Sequence, residues 1–348
     1  MPTIHDVARA AGVSPITVSR VFRNGHYVRP ETRQRVLRAA SELNYVPNAV
    51  ARSLRQARSG LLAFINTDMM NPLFHTMARG AEDAAQAAGM TMVLGNSDDD
   101  TELEANHLRI MSEHRVDGII LVPTPYTTAA HIPTLPAKVP LVLLDRRPSD
   151  LAASLVCCDT ATATRDLCQY LYALGHERVA IIGGMLEVPT WLNRLTGYRQ
   201  AQRAAGRMED EDLVIHGNYR ADSGAAAARE LMASTRPPDA MIAASAQVLY
   251  GVLDELAAQG KSIPADVSVC CVDDPALPAF FRPKFTYVEQ PGYAMGAAAV
   301  QIILEGLRAE ATAGQDREFS ATLRIGESCR EQVRRVRSRV PEAIGSRG

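Results

Sequence analysis

Apolar and small residues recur at Ile4, Val7, Ala8 and Ala11, then at Val13, Val18 and Val21, a spacing that predicts two short amphipathic helices. Gly12 supplies the backbone freedom for a tight turn between them, and Ser14 is placed to cap the second by accepting a bond from a free N–H. Helices joined so closely cross steeply; in a helix-turn-helix the second enters the major groove with its first residues at the base edges. Those residues are Ser14, Pro15, Ile16, Thr17 and Arg20. Beyond residue 59 the period changes. Apolar runs at 61–66, 90–96, 118–123, 140–145 and 154–159 alternate with alanine-rich amphipathic stretches such as 74–88 and 102–114. A second series at 178–184, 213–217, 240–245 and 267–273 is interleaved with helical patterns such as 194–205 and 247–259. Strand-length runs separated by helices predict doubly wound parallel sheets with helices on both faces. The 348 residues accommodate a small head and two lobes, each able to bury a core.

A glycine-containing turn between helices is common in any small helical domain, and charge is what sharpens the reading. Through Gly60 the chain has a formal charge of +7, carried by arginine alone, whereas the remainder carries −9, hidden within an overall −2. That polarity suits a head that meets a polyanion on a body that does not. Residues 48–57 follow Pro47 and begin with a capping asparagine, yet offer only two or three helical turns, too few to be stable alone in water. They are expected to order as a hinge helix only when something holds them, with Leu54 otherwise a plain linker residue.

Other chemistries find little support. No apolar run reaches membrane-spanning length and the first residues lack a signal-peptide pattern, so a cytoplasmic protein is expected. Cysteines 157, 158, 168, 270, 271 and 329 show no metal-ligand spacing and read as buried thiols, with no metal or cofactor expected. Gly260, Lys261 and Ser262 resemble the end of a phosphate-binding loop, but Glu255 stands where its first glycine belongs, so a helix-to-strand turn is expected. The acidic run of Asp98, Asp99 and Asp100 lacks the alternation of a calcium loop and reads as a solvated loop before a helix starting at Thr101. No nucleophile elbow, zinc-protease motif or redox dicysteine occurs, so the chain is not expected to be an enzyme.

In doubly wound sheets ligands sit beyond the carboxyl ends of the strands. Asp145 and Asp273 each follow a predicted strand there, and Arg194 is expected to start the helix after another. Carboxylates that accept hydroxyl hydrogens and a forked guanidinium donor suit a sugar or sugar acid.

The head, the stretches 28–36 and 43–48, and the run 49–54 together resemble the LacI/GalR (lactose-repressor/galactose-repressor) family of transcription regulators, and the resemblance continues to about Glu327. It implies a helix-turn-helix head (1–47), a hinge helix and linker (48–59), and a two-lobed body like the periplasmic binding proteins (60–330). The first lobe would take about 60–158 plus 291–318, and the second about 159–290 plus 319–330. The resemblance assigns DNA contacts to Thr3, Ser14, Pro15, Ile16, Thr17, Ser19, Arg20, Arg23, Arg29, Thr32, Tyr45, Asn48, Ser53 and Leu54, with Leu54 as the wedge between base pairs. Effector contacts fall on Leu73, Phe74, Asp145, Thr190, Arg194, Tyr219, Ser245 and Asp273.

Two departures stand out. Ser245-Ala246 replaces the usual Asn-Asp, and Cys271-Val272 replaces a Gly-aromatic pair, so the ligand is expected to be smaller, less hydroxylated or more anionic than a neutral hexose. The implied function is a repressor, a homodimer on a pseudo-palindromic double-stranded DNA operator, controlled by a small-molecule effector and with no membrane partner. The alternative is a sugar-binding or sugar-processing body with a vestigial head. The tail 331–348, with valines at 333, 336 and 340 among arginines, sustains no heptad and is expected to be disordered and basic, which leaves a dimer rather than a tetramer.

Overall fold

In the computed structural model, which describes residues 2–22, 28–46, 58–132, 139–308 and 314–332, α1 (Ile4–Ala11) begins at a reciprocal cap. The Thr3 N–H donates to the Asp6 carboxylate at 2.9 Å, while the Asp6 N–H donates back to the Thr3 hydroxyl. The helix ends at Gly12, whose φ of 64° lies in the left-handed region that side chains with a Cβ avoid. α2 (Pro15–Phe22) opens with proline, whose missing N–H costs nothing there, and the Ser14 hydroxyl accepts from the Thr17 N–H at 3.3 Å. With α3 (Pro30–Glu42) these helices enclose a core of Val7, Val18, Val21 and Val36, and the Tyr45 ring lies 5.9 Å from that of Phe22.

The chain divides into two units, Met1–Ser59 and Gly60–Gly348. The second is built on two six-stranded sheets. In the first, β1 (Leu61–Asn66), β2 (Thr91–Asn96), β3 (Gly118–Leu121), β4 (Leu141–Leu144), β5 (Ser154–Cys158) and β11 (Arg317–Phe319) run parallel in the order β11-β5-β4-β3-β1-β2. Helices α4 (Pro72–Ala87) and α10 (Gly292–Arg308) cover one face and α5 (Thr101–Glu113) the other.

In the second sheet, β6 (Val179–Ile182), β7 (Val214–Ile215), β8 (Ala240–Ala243), β9 (Ser268–Val272), β10 (Thr286–Glu289) and β12 (Thr322–Arg324) follow the order β12-β10-β9-β8-β6-β7. Among the described residues of this sheet only the β10–β12 pairing is antiparallel. Helices α6 (Thr160–Ala173) and α7 (Pro189–Ala204) pack on one face, α8 (Ala221–Ala233) and α9 (Ala246–Ala258) on the other. Strands covered on both sides read as continuous apolar runs, and β9 is buried throughout, with Cys270 in one core and Cys271 in the other. Cys157 and Cys329 are only half-buried, so the expectation of six buried thiols holds for four.

The chain passes between the two sheets after β5, after β10 and between β11 and β12; Phe319 pairs with Cys158 and so belongs to the first. β1 and β2 end where the sequence pattern does and the other predicted strands one or two residues before it, which leaves Asp145, Ser245 and Asp273 beyond the strand ends. Arg194 does not start its helix. α7 begins at Pro189, so Arg194 sits in the second turn. Among the described residues no helix is long and apolar enough to cross a membrane, and no group of His, Cys, Asp and Glu could hold a metal.

Candidate functional site

The carboxyl ends of both sheets open onto one cleft, whose space including its solvent-open mouth is about 560 Å3. All eight sequence-derived candidates line it: Leu73, Phe74, Asp145, Thr190, Arg194, Tyr219, Ser245 and Asp273. Leu73 and Phe74 come from the first turn of α4, where the Asn71 side chain caps the helix, and both are anchored in the first-lobe core. Thr190 lies in the first turn of α7, one turn before Arg194. The Ser245 hydroxyl accepts from the Val248 N–H at 3.3 Å and so caps α9 at the cleft wall.

The polar centre of the cleft is the buried pair Arg194–Asp273, with N···O 3.5 Å and side chains 4% and 2% exposed. Arg194 also donates to the Ala244 carbonyl at 2.6 Å and the Tyr219 hydroxyl at 3.4 Å, and its guanidinium carbon lies 5.7 Å from the Tyr219 ring centre. Its Nε is buried without a hydrogen-bond partner among the described residues. Burial works against the charge on Arg194, but Asp273, Tyr219 and Asp145 outweigh it and hold its pKa above the ordinary arginine value. For Asp273 burial wins over Arg194 and over the Gln290 amide that donates to it at 2.5 Å, and its pKa is pushed up to about 6.

Asp145 is 8% exposed, and no hydrogen bond among the described residues ends on its carboxylate. It is held at φ 74°, a left-handed conformation that aspartate tolerates, and Tyr219 at φ 63°, where a bulky residue pays roughly 1–3 kcal/mol, a strain that collects at ligand sites. The Tyr219 ring fits because residue 184 is glycine: a Cβ there would fall 1.9 Å from the ring.

The raised pKa of Asp273 carries a pH signature. Between about pH 4 and 6 the folded protein keeps a proton that the unfolded chain, at its ordinary value of 3.8, has lost, so this group lowers stability as pH rises through that window. Urea midpoints of wild type relative to Asp273→Asn should therefore decline from pH 4 to 6 and then level; a relative rise would contradict the burial account.

Several lining residues escaped the sequence reading. Arg146 is buried and donates to the Pro123 carbonyl at 2.8 Å and the Thr67 hydroxyl at 3.2 Å, so it buttresses the loop ends; its place directly after Asp145 at a strand end was the available signal. Asp68, Asn71, Asp99, Asn218 and Arg220 also line the cleft. Asp99 and its neighbour Asp98 are not merely solvated, as the acidic run suggested, because both meet Arg220 of the other lobe; Asp100 does start α5, accepting from Glu102 and Leu103.

On the head, Ile16 and Arg20 are exposed one turn apart on α2, while Val18 and Val21 are buried. Pro15, Thr17 and Ser19 are half-buried around them, and the Ser14 and Thr17 hydroxyls bond each other at 3.0 Å. Thr3 caps α1, Arg29 is exposed at the start of α3, and Thr32 is half-buried in its first turn. Tyr45 belongs partly to the head core. Arg23, Asn48, Ser53 and Leu54 lie outside the described residues, as does the tail from 333.

Comparison with known proteins agrees with this layout. Residues 3–48 match the description "Bacterial regulatory proteins, lacI family" and residues 168–329 match "Periplasmic binding protein-like domain". Catabolite control protein A of Priestia megaterium is 33% identical over 310 residues, covering 88% of this chain and 93% of its own length. The repressor PurR of Vibrio atlanticus (strain LGP32) is 31% identical over 309 residues, covering 88% and 92%. The solved structure of a transcriptional regulator CelR–cellobiose complex is 31% identical, with a TM-score of 0.68 over 94% of this chain and 100% of that one.

Proposed function

The chain belongs to the LacI family of bacterial regulatory proteins and is thereby a DNA-binding transcriptional regulator rather than an enzyme, and from that premise we propose that it is a repressor whose operator affinity is set by a sugar or sugar acid in the cleft. The observation that carries the reading is the convergence of Arg194, Asp273, Asp145 and Tyr219 in one cleft between two lobes, on a chain whose head is strongly basic. Asp145 and Asp273 supply acceptors for hydroxyl hydrogens, Arg194 the forked donor, and Leu73, Phe74 and Tyr219 the apolar surface for a ring's C–H face.

Control works by population shift. A ligand that bridges two lobes favours the closed arrangement, and in a homodimer that choice alters the spacing of the two heads on a pseudo-palindromic site. The coupling is reciprocal, so DNA changes ligand affinity by the factor by which ligand changes DNA affinity. A sugar-processing body with a vestigial head is disfavoured by the capped, fully packed α1 and α2 and by the exposed Ile16 and Arg20.

Binding to fragmented genomic DNA from the source organism, followed by footprinting, tests the proposal. Recovery of a discrete two-fold-symmetric site supports it, and sequence-independent binding throughout would overturn it. The genes beside the site would also indicate the metabolite class.

A further inference from the structure

We propose that Arg220, gripping Asp98 and Asp99 across the mouth of the cleft, is an ionic clasp that sets how much of the effector-free protein already has its lobes closed; this rests on the cleft being the effector site. Three hydrogen bonds from one atom carry it: Arg220 Nη2 lies 3.0 Å from Asp98 Oδ1, 3.3 Å from the Asp98 carbonyl and 3.4 Å from Asp99 Oδ2. Among the described residues two neutral contacts also join the lobes: the Gln247 amide donates to the Met70 carbonyl at 2.6 Å, and the Tyr126 hydroxyl to Met185 Sδ at 3.4 Å. Neither adds a charge pair to the closed form.

Both halves of the clasp are mounted on helix starts. Arg220 is the residue before α8; its N–H donates to Asn218 Oδ1 at 2.9 Å, and it directly follows Tyr219 against the Arg194 guanidinium. A pull on Arg220 is therefore a pull on the cleft wall. Asp98 and Asp99, at φ 52° and 61°, turn the loop between β2 and α5, and the next residue, Asp100, caps α5. The pairing raises the Arg220 pKa through its bond to Asp98.

The clasp is modest by design of its surroundings. Arg220, Asp98 and Asp99 side chains are 40%, 62% and 26% exposed, so water and salt screen them, and the closed form gains a factor of about two to five rather than orders of magnitude. A bias of that size leaves the lobe equilibrium within reach of a ligand, whereas a deeply buried pair would lock it.

The test is single-molecule energy transfer in ligand-free full-length protein, with dyes on cysteines introduced at Glu102 and Glu230, exposed positions on α5 and α8, and with Cys157 and Cys329 replaced by serine. One doubly labelled protomer is diluted into excess unlabelled chain so that any assembly adds no second pair. Arg220→Gln should raise the low-transfer, open population two- to fivefold. The double variant Asp98→Asn with Asp99→Asn should do the same, since asparagine tolerates the left-handed turn as aspartate does. The triple variant should go no further than either, and 1 M NaCl should open wild type but not the variants. An unchanged distribution in both charge-removing variants, or effects that add in the triple, overturns the clasp. Because no effector or DNA is present, either result leaves operator control to be judged separately.

Discussion

Replacing Arg194 with alanine is expected to destabilise the body by about 3–5 kcal/mol, because it strands a buried carboxylate rather than merely deleting a contact. Arg194 and Asp273 are almost wholly buried, and without Arg194 the acid, left with Gln290, must either stay ionised and uncompensated or take up a proton, each at a cost in stability. Urea unfolding of the purified chain measures the loss. Arg194→Met combined with Asp273→Leu separates stability from function: an apolar pair of similar volume should recover most of the lost stability, since buried ion pairs are often neutral against such replacements. It should nevertheless abolish any response of DNA binding to the effector. A destabilisation below about 1 kcal/mol for Arg194→Ala would mean that the pair is solvated and the cleft polar centre misread.

Arg20→Ala should cost about 1–3 kcal/mol at the cognate site and relax preference at one base pair per half-site. The structure supplies the reason. Val18 and Val21 fix α2 in the head core, and this leaves Arg20 on the outward face one turn after Ile16, which is 66% exposed. A branched apolar side chain so exposed beside an exposed guanidinium suits a surface that is covered when DNA binds, with Pro15 and Ile16 reading apolar features such as a thymine methyl. Competition binding with single-base operator variants distinguishes the outcomes: loss confined to one position supports base readout, and uniform weakening on every sequence makes Arg20 a phosphate contact.

The head was legible because each device in it is local: the apolar period, Gly12 in the turn and Ser14 at the cap are all set within a few residues. The body strands were legible for the opposite reason, since burial on both faces removes alternation and leaves apolar runs that end where the cleft begins. That is why Asp145 and Asp273, at the ends of such runs, could be chosen as candidates from position alone, whereas Ser245 came from the family resemblance; all three share the cleft. β10, β11 and β12 went unseen because they are partly exposed and mix polar with apolar residues, so no apolar run marks them.

The start of α7 was missed although Val188-Pro189 carried the signal, proline being favoured at the first helical position. The partner of the acidic run was beyond local reading altogether. Asp98 and Arg220 are 122 residues apart, and only the pairing of two lobes brings them together. Arg146 shows a further limit: a charged residue at a strand end can be a buttress, tied to Pro123 and Thr67, as readily as a ligand contact.

The most direct test of the central claim is the affinity of the full-length protein for its footprinted operator, measured by fluorescence anisotropy at fixed salt with and without a saturating effector drawn from the pathway of the neighbouring genes. The account predicts a change of about fivefold or more, matched by an equal change in effector affinity when operator is present. An effector that saturates the cleft, as shown by loss of its binding in the Arg194→Met and Asp273→Leu double variant, yet leaves operator affinity unaltered would contradict it.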